Sequence, residues 1–234
     1  MAMPALPSYE ELAAMIDHSL LRPELTEAQV EEGCDLAMRY RVATVCVRPA
    51  DLPLAAARLA GSPVRPTTVI GFPHGGQTTE AKLFEARQAL EAGAAELDMV
   101  LNIGKLLSRR FDYVEGEIRG IRETAHAAGA LLKVIFENAY LTDELKIEAC
   151  AISTRAAVDF VKTSTGFAPG GATDHDLRLM RRHCPPSIQI KAAGGVRTLD
   201  RALEVRALGC SRFGATATAA ILDELTARLE KTGR

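Results

Sequence analysis

The chain has 234 residues, with 28 Lys and Arg against 30 Asp and Glu, so its formal net charge is −2. With 47% hydrophobic, 25% charged and 5% aromatic residues, its composition is that of an ordinary globular protein. This composition excludes intrinsic disorder, a collagen-like fibre and a minimal scaffold held by disulfides. A chain of this length suits two small domains or one α/β barrel, and either can bury a core without a metal or a disulfide.

The cysteines and the termini predict where the chain resides. Five scattered cysteines form no C-x-x-C pair, which favours free thiols and a reducing, cytoplasmic location. The sequence begins without the segments of a signal peptide and has no uninterrupted apolar run of about 18 residues. Nearly balanced charge and the absence of tryptophan argue against a dedicated nucleic-acid surface. We therefore expect neither a membrane nor a nucleic acid as a partner.

Short apolar runs rich in β-branched residues alternate with longer amphipathic stretches along almost the whole chain. This alternation is typical of βα units in a parallel sheet. Eight runs are candidate strands: Met15–Leu20, Ala43–Val47, Thr67–Gly71, Ala95–Val100, Leu131–Glu137, Val158–Lys162, Ile188–Ala192 and Arg212–Gly214.

Helix signals lie before and between these runs. Capping boxes are predicted at Ser8 with Glu11, on a helix that precedes the first strand, and at Thr26 with Gln29. Three further helices end in an Ala/Leu-rich segment followed by a glycine, as the left-handed residue after a helix requires. These glycines are Gly93, Gly129 and Gly209.

Eight βα units in this length predict a single (β/α)8 TIM barrel with an extra N-terminal helix. No Ser/Pro-rich linker interrupts the pattern, so residues 1–234 are expected to form one domain. The structural alternative is an open doubly wound sheet, which uses the same units. The barrel is favoured because no glycine-rich phosphate turn of a dinucleotide fold follows the first strand.

Alternation along the strands predicts which side chains point into the barrel. In the fourth strand the apolar residues of one parity suit the helices, which leaves Glu96, Asp98 and Asn102 facing inward. The same test turns Lys133 and Glu137 inward in the fifth strand and Lys191 inward in the seventh. The sixth strand is ambiguous, because Val158, Phe160 and Lys162 share one face.

With Lys162 also inward, three carboxylates and three lysines would share the barrel interior. Unpaired, each charge would cost several kcal/mol to bury, so a balanced cluster indicates a site at the carboxyl ends of the strands. The alternative is an ion-pair network that only stabilises strand register. Lys133 and Glu137 suit that structural role better than a catalytic one.

Lys162 and Lys191 lie one βα unit apart, so their strands should be neighbours. A lysine of ordinary pKa is almost entirely charged at neutral pH, whereas an amine must be neutral to attack a carbonyl. If the pKa of such a lysine were lowered by roughly three units, about a quarter of the molecules would carry a neutral, nucleophilic amine at neutral pH. A second cation nearby lowers the pKa in this way. Asp98 could accept and donate the proton. This combination predicts imine chemistry on an aldehyde or ketone.

Glycine-rich turns follow the last three strands and predict an anion site. Gly166 ends the turn after the sixth strand, Gly194 and Gly195 follow the seventh, and Gly214 to Thr216 precede the last helix. Backbone N–H groups of such turns bind anions, and the loops after strands 7 and 8 are the recurrent phosphate site of this barrel. A phosphorylated substrate is therefore expected.

The sequence resembles the deoxyribose-phosphate aldolases, a family of class I aldolases. The segments that carry this resemblance span nearly the whole chain in family order: IDHSLL (16–21), VCVRP (45–49), ELDMVLNIG (96–104), KVIFE (133–137), DFVKTSTGF (159–167), KAAGGVRT (191–198) and RFGAT (212–216). Two of them, DFVKTSTGF and KAAGGVRT, are highly specific.

The resemblance implies that Lys162 forms the Schiff base, that Lys191 depresses its pKa and that Asp98 transfers protons. It also implies phosphate contacts from Gly166, Gly195 and the turn from Gly214 to Thr216. Three positions complete the expected site: Ser19 stands where threonine is usual and keeps a hydroxyl, Cys46 points inward near the cavity, and Gly194 accompanies Gly195. Ala217 stands where many members carry a second hydroxyl residue.

The implied reaction is the reversible cleavage of 2-deoxy-D-ribose 5-phosphate to D-glyceraldehyde 3-phosphate and acetaldehyde. No cofactor or metal is expected, because an iminium group is the electron sink that a zinc ion would otherwise supply. The expected partners are the sugar phosphate, acetaldehyde and other copies of the chain, as a homodimer or homotetramer. Two alternatives remain: another imine-forming barrel, transaldolase-like or a keto-acid aldolase, and a non-catalytic barrel that binds sugar phosphates.

Overall fold

A computed structural model describes residues 6–231 of the chain. Residues 1–5 and 232–234, which the predicted domain includes, lie outside the described residues. The sheet is a closed barrel of eight parallel strands in sequential order. The predicted fold class is therefore confirmed, and the open doubly wound alternative is wrong.

All eight candidate strands are present, with ends that shift by a few residues from the predicted ones. They are β1 (Ile16–Leu20), β2 (Thr44–Val47), β3 (Arg65–Ile70), β4 (Glu96–Val100), β5 (Leu131–Ile135), β6 (Phe160–Lys162), β7 (Gln189–Ala192) and β8 (Arg212–Ala215). Strand β1 pairs with both β2 and β8, and this pairing closes the barrel.

The helices form the outer layer of the barrel, and every strand is followed by at least one. Within residues 6–231 they are α1 (Tyr9–Ala13), α2 (Glu27–Tyr40), α3 (Leu52–Arg58), α4 (Thr79–Glu91), α5 (Ile103–Leu107), α6 (Phe111–Ala127), α7 (Asp143–Arg155), α8 (Asp174–His183), α9 (Leu199–Ala207) and α10 (Thr218–Lys231). Helix α1 is the predicted extra helix before the first strand.

The local signals in the sequence account for the helix ends. The side chain of Ser8 caps α1 and that of Thr26 caps α2, and both capping boxes are complete. Gly93, Gly129 and Gly209 follow α4, α6 and α9 with positive φ angles of 97°, 74° and 89°. Each therefore turns the chain back toward the next strand, as predicted.

The apolar core lies between the strands and the helices. In β5, Leu132 and Val134 are fully buried in this layer, whereas the intervening Lys133 points to the interior of the barrel. The alternation separates an apolar outer face from a charged inner face on the same strand. As a result, charged side chains of several strands meet inside the barrel.

Candidate active site

Asp98 lies at the centre of a buried group of lysines inside the barrel. Its Oδ2 accepts hydrogen bonds from the Nζ atoms of Lys162, at 2.7 Å, and Lys191, at 2.8 Å. Its Oδ1 accepts a hydrogen bond from Nζ of Lys133 at 2.7 Å. The two lysines that share Oδ2 stand directly opposite each other on β6 and β7, so the predicted adjacency of their strands is correct. The structure thus brings the three predicted catalytic residues together on one oxygen atom.

Two further charged residues extend this cluster, and the sequence analysis missed both. Oδ2 of Asp17, on β1, lies 2.5 Å from Nζ of Lys191. Oδ1 of Asp17 accepts a hydrogen bond from Arg212 at 2.5 Å. Arg212 also donates to Glu96 at 3.2 Å, and Lys133 contacts the same carboxylate. The inward parity of Asp17 is the same as that of Ser19, so the alternation test applied to the first strand would have found it.

Phe160 packs against two cations of this cluster. Its ring centroid lies 5.9 Å from Nζ of Lys133 and 5.6 Å from Cζ of Arg212. The ring therefore points into the barrel, which resolves the ambiguous parity of β6. Because Lys162 has the same parity as Phe160, its side chain points inward as well.

The charges in the barrel interior balance only if one amine is neutral. Three buried carboxylates (Asp17, Glu96, Asp98) face four buried cationic side chains (Lys133, Lys162, Lys191, Arg212). Arg65 adds a contact to Glu96 from the solvent side, where its own side chain is 44% exposed. If every buried group were ionised, the interior would carry an excess positive charge, which is costly in a low dielectric. Neutralising one lysine removes that excess.

The surroundings of each lysine decide which one becomes neutral. Burial, aided by repulsion from Lys191, lowers the pKa of Lys162 from its usual value despite the attraction of Asp98. Burial also disfavours the charged form of Lys191, but Asp17 and Asp98 outweigh it and raise the pKa of that lysine. Of the two amines, Lys162 is therefore the one that more readily becomes neutral, as a nucleophile must be, and Lys191 is charged beside it at neutral pH.

Asp98 remains ionised between the lysines. Burial opposes its ionisation, but the cations Lys133, Lys162 and Lys191 outweigh that penalty and hold the pKa of its carboxyl well below the usual value. A carboxylate hydrogen-bonded to both Lys162 and Lys191 offers a direct path for a proton between the two amines. The arrangement can therefore support imine formation, which requires proton transfer to and from nitrogen.

A cavity of about 480 Å³ opens above Lys162 at the carboxyl ends of β6, β7, β8 and β1. Its wall includes most of the predicted binding residues: Ser19, Gly166, Gly194, Gly195, Gly214 and Thr216. Arg22 and Arg197 also line it, although the sequence analysis did not select them. Arg197 belongs to the segment KAAGGVRT, so this motif is the feature of the sequence that could have identified it as a binding residue. Two cations at the cavity mouth suit an anionic ligand.

Three glycines of the cavity wall have backbone N–H groups that are not used within the described part of the chain. Gly166, Gly194 and Gly195 have φ angles of 89°, 81° and 89°, a region that side chains disfavour. None of their N–H groups donates to an acceptor within residues 6–231. A phosphate group would supply the missing acceptors.

Cys46 differs from the other predicted binding residues. It is buried, with 1% of its surface exposed, and it is not part of the cavity wall. Burial raises the pKa of its thiol to about 11, so the thiol is protonated near neutral pH. The structure therefore places Cys46 in the packed interior near the lysines, away from the space open to a ligand.

Asn102 and Glu137 follow strand ends, and the alternation test does not hold there. The side-chain oxygen of Asn102 accepts a hydrogen bond from the N–H of Lys105 at 3.0 Å and caps α5, so this residue stabilises the start of the next helix. Glu137 lies beyond the end of β5, and its carboxylate binds the turn that follows β6. Once a strand ends, the side chain follows the local turn instead of the pleat.

Two other features of the described residues concern metals and membranes. Asp143, His175 and Asp176 lie close enough to hold an ion, but Lys146 already donates to both carboxylates, at 3.1 Å and 2.6 Å. This cluster lies on α7 and α8 and shares no residue with the cavity wall. None of the helices within residues 6–231 is long and apolar enough to cross a membrane.

Comparison with known proteins identifies the family to which the chain belongs. A family model described as "DeoC/LacD family aldolase" matches residues 12–218. The chain belongs to this aldolase family. As an aldolase it is an enzyme of the lyase class.

Individual members of the aldolase family resemble the chain over most of its length. It is 56% identical to a deoxyribose-phosphate aldolase of Rhodopirellula baltica, over 94% of this chain and 92% of the relative. It is 46% identical to one of Clostridium perfringens, over 92% and 95% of the two chains. The solved structure of a tetrameric deoxyribose phosphate aldolase from Aeropyrum pernix superposes with a TM-score of 0.87 at 32% identity, covering 94% of this chain and 93% of that one.

Proposed function

We propose that this aldolase cleaves 2-deoxy-D-ribose 5-phosphate reversibly to D-glyceraldehyde 3-phosphate and acetaldehyde. Lys162 forms the Schiff base, and Asp98 and Lys191 handle the protons. The observation that carries this proposal is the sharing of Asp98 Oδ2 by the Nζ atoms of Lys162 and Lys191 beneath a cavity lined by glycine turns. The names of the relatives at 56% and 46% identity support the same substrate.

In the cleavage direction, neutral Lys162 attacks C1 of the open-chain sugar. The carbinolamine oxygen leaves as water with a proton from Lys191, which gives an iminium ion. Lys191, neutral after this donation, then takes the proton of the C3 hydroxyl. The C2–C3 bond breaks, glyceraldehyde 3-phosphate is released, and the bonding electrons move onto C2 as an enamine. Lys191 returns a proton to C2, and hydrolysis of the resulting iminium ion by water releases acetaldehyde, frees Lys162 and gives back the proton that restores Lys191.

Asp98 connects these proton transfers. It is hydrogen-bonded to both amines, so its carboxylate stabilises the iminium charge on Lys162 and relays protons to and from Lys191. The phosphate of the substrate binds the N–H groups of Gly166, Gly194 and Gly195, with Arg197, Ser19, Gly214 and Thr216 in the same wall. This binding orients C1 toward Lys162.

The first experiment is borohydride reduction of the protein in the presence of acetaldehyde, followed by intact mass measurement and peptide mapping. We expect one ethyl group, attached to Lys162. A panel of donor aldehydes and keto acids distinguishes this aldolase from a transaldolase-like or keto-acid enzyme. Labelling spread over surface lysines, or none at all, would contradict the Schiff base and favour a barrel that only binds sugar phosphates.

Substituting Gly195 by alanine tests the phosphate site. A Cβ atom at this position would meet nothing within 4 Å, so alanine causes no steric clash. Alanine nevertheless disfavours the φ of 89°, and the backbone of the turn must change to relieve this strain. We expect KM for the phosphorylated sugar to rise by about tenfold and KM for 2-deoxyribose to stay unchanged. Gly61, with a φ of 79° and similar open space in an exposed turn, provides the matched control. Gly61→Ala should carry the same backbone cost without any change in KM.

We also propose a cytoplasmic location and a homo-oligomeric assembly, as a homodimer or homotetramer. All five cysteines are free and buried, which suits a reducing compartment. The relative from Aeropyrum pernix is a tetramer. Light scattering of the purified protein measures the assembly directly, and a monomeric mass would contradict it.

A further inference from the structure

Glu137 has a backbone conformation that its residue type disfavours. Its φ of 56° lies in the left-handed region, where a non-glycine residue is uncommon. Its side chain is 2% exposed, although it follows the end of β5 at the mouth of the barrel. Such a conformation persists where surrounding contacts hold it, and these contacts often belong to a functional site.

The side chain of Glu137 makes its hydrogen bonds to the turn that follows β6. Oε2 accepts the backbone N–H of Thr165 at 3.1 Å and also accepts the hydroxyl of the same residue. Immediately after Glu137, the N–H of Asn138 donates to the carbonyl oxygen of Thr163 at 2.9 Å. The strained backbone thus directs one carboxylate and one N–H group onto neighbouring residues of a single turn.

These bonds decide which donors the turn can present to a ligand. The N–H of Thr165 is taken by Glu137, and the N–H of Phe167 is taken by Oγ1 of Thr165 at 3.0 Å. Gly166 lies between them, and its N–H has no acceptor within the described residues. Thr165, Gly166 and Phe167 all line the cavity, so the turn offers this ligand one backbone donor out of three.

We propose that Glu137 is a positioning residue that makes the cavity selective for phosphorylated substrates. By binding both donors of Thr165, its carboxylate orients the N–H of Gly166 toward the phosphate, across from Gly194 and Gly195. This inference rests on the proposed function, because it requires a phosphate group in this cavity. Glu137 itself touches neither the substrate nor the reacting atoms.

Two substitutions separate the carboxylate from the backbone strain. Glu137→Gly removes the acceptor and suits the left-handed conformation, whereas Glu137→Gln keeps an acceptor oxygen for Thr165. For Glu137→Gly we expect KM for 2-deoxyribose 5-phosphate, and the inhibition constant of inorganic phosphate, to rise by at least about tenfold. We expect kcat, and both constants for unphosphorylated 2-deoxyribose, to stay within about twofold of the parent enzyme. Glu137→Gln should retain most of the phosphate affinity.

A third variant guards against misfolding of the glycine variant. Thr165→Val keeps the size of the side chain but removes the hydroxyl that joins Glu137 to the N–H of Phe167, so it should also weaken phosphate binding selectively. Borohydride trapping of acetaldehyde on Lys162 shows in each variant that the chemical site is intact.

The possible outcomes separate this inference from the proposed function. If the parent enzyme forms no adduct and does not prefer the phosphorylated sugar, the proposed function itself fails. If the parent behaves as proposed but the Glu137 and Thr165 variants lose activity equally toward both sugars, or lose none, Glu137 has no role in positioning the phosphate site.

Discussion

Substitution of Lys162 by leucine is expected to lower kcat/KM by on the order of 10⁴ or more. Leucine fills much of the same space but has no amine to form the imine. The borohydride adduct with acetaldehyde should disappear in the same variant. Steady-state kinetics and intact mass measurement check the two results independently.

The stability of this variant should not fall with its activity. Without Lys162, three buried carboxylates face Lys133, Lys191 and Arg212, so the charges in the barrel interior balance. Asp98 also keeps hydrogen bonds from Lys133 and Lys191. Thermal unfolding measures this directly. Lys105→Leu, at a half-buried position of α5 outside the cavity wall, is the control and should keep both the adduct and the activity. Retention of activity by Lys162→Leu would mean that another amine forms the imine.

Substitution of Lys191 by methionine should change the pH dependence as well as the rate. Lys162 reacts in its neutral form, so activity is present above its pKa and is lost as the pH falls through that value. Repulsion from Lys191 helps to lower that pKa, so its removal raises the pKa of Lys162. We expect the rising limb of the profile of kcat/KM against pH to move to higher pH.

The rate of the Lys191 variant should also fall, by about 10²–10⁴ at neutral pH, for two reasons. The variant lacks a proton donor, and a smaller fraction of Lys162 is neutral because its pKa is higher. Lys133→Met is the matched control. It removes an equal charge from the opposite oxygen of Asp98, but Lys133 does not share Oδ2 with Lys162. The profile of kcat/KM against pH should therefore shift less in Lys133→Met than in Lys191→Met. Equal shifts in the two variants would mean that net charge, and not the proximity of Lys191, controls the nucleophile.

Most of the candidate site could be predicted because strand alternation is a local property. The parity of Asp98 and Lys191 follows from the apolar residues on either side of them, and adjacent βα units give adjacent parallel strands. The same rule could not orient Lys162, since Phe160 shares its face and is apolar. Only the barrel interior shows that this ring lies beneath charged groups, at 5.9 Å from Lys133 and 5.6 Å from Arg212.

Residues beyond the strand ends were predicted least well. Asn102 and Glu137 have the parity of inward residues, but β4 ends at Val100 and β5 at Ile135. Their orientations come from hydrogen bonds with Lys105 in the next turn of chain and with Thr165 in a different βα unit. The alternation of side chains between the two faces holds only within a strand. A periodic pattern in the sequence therefore cannot predict the roles of residues that follow a strand end.

The eight βα units, the helix ends and the polar inner faces of the strands follow from the amino-acid sequence, because they depend on interactions between residues close in the chain. Closure of the barrel decided the rest. It brought Asp17 of β1 to Lys191 of β7 and Arg212 of β8, and it left Cys46 outside the cavity wall. Contacts between strands distant in sequence depend on how the sheet closes and packs, and this is a property of the whole barrel.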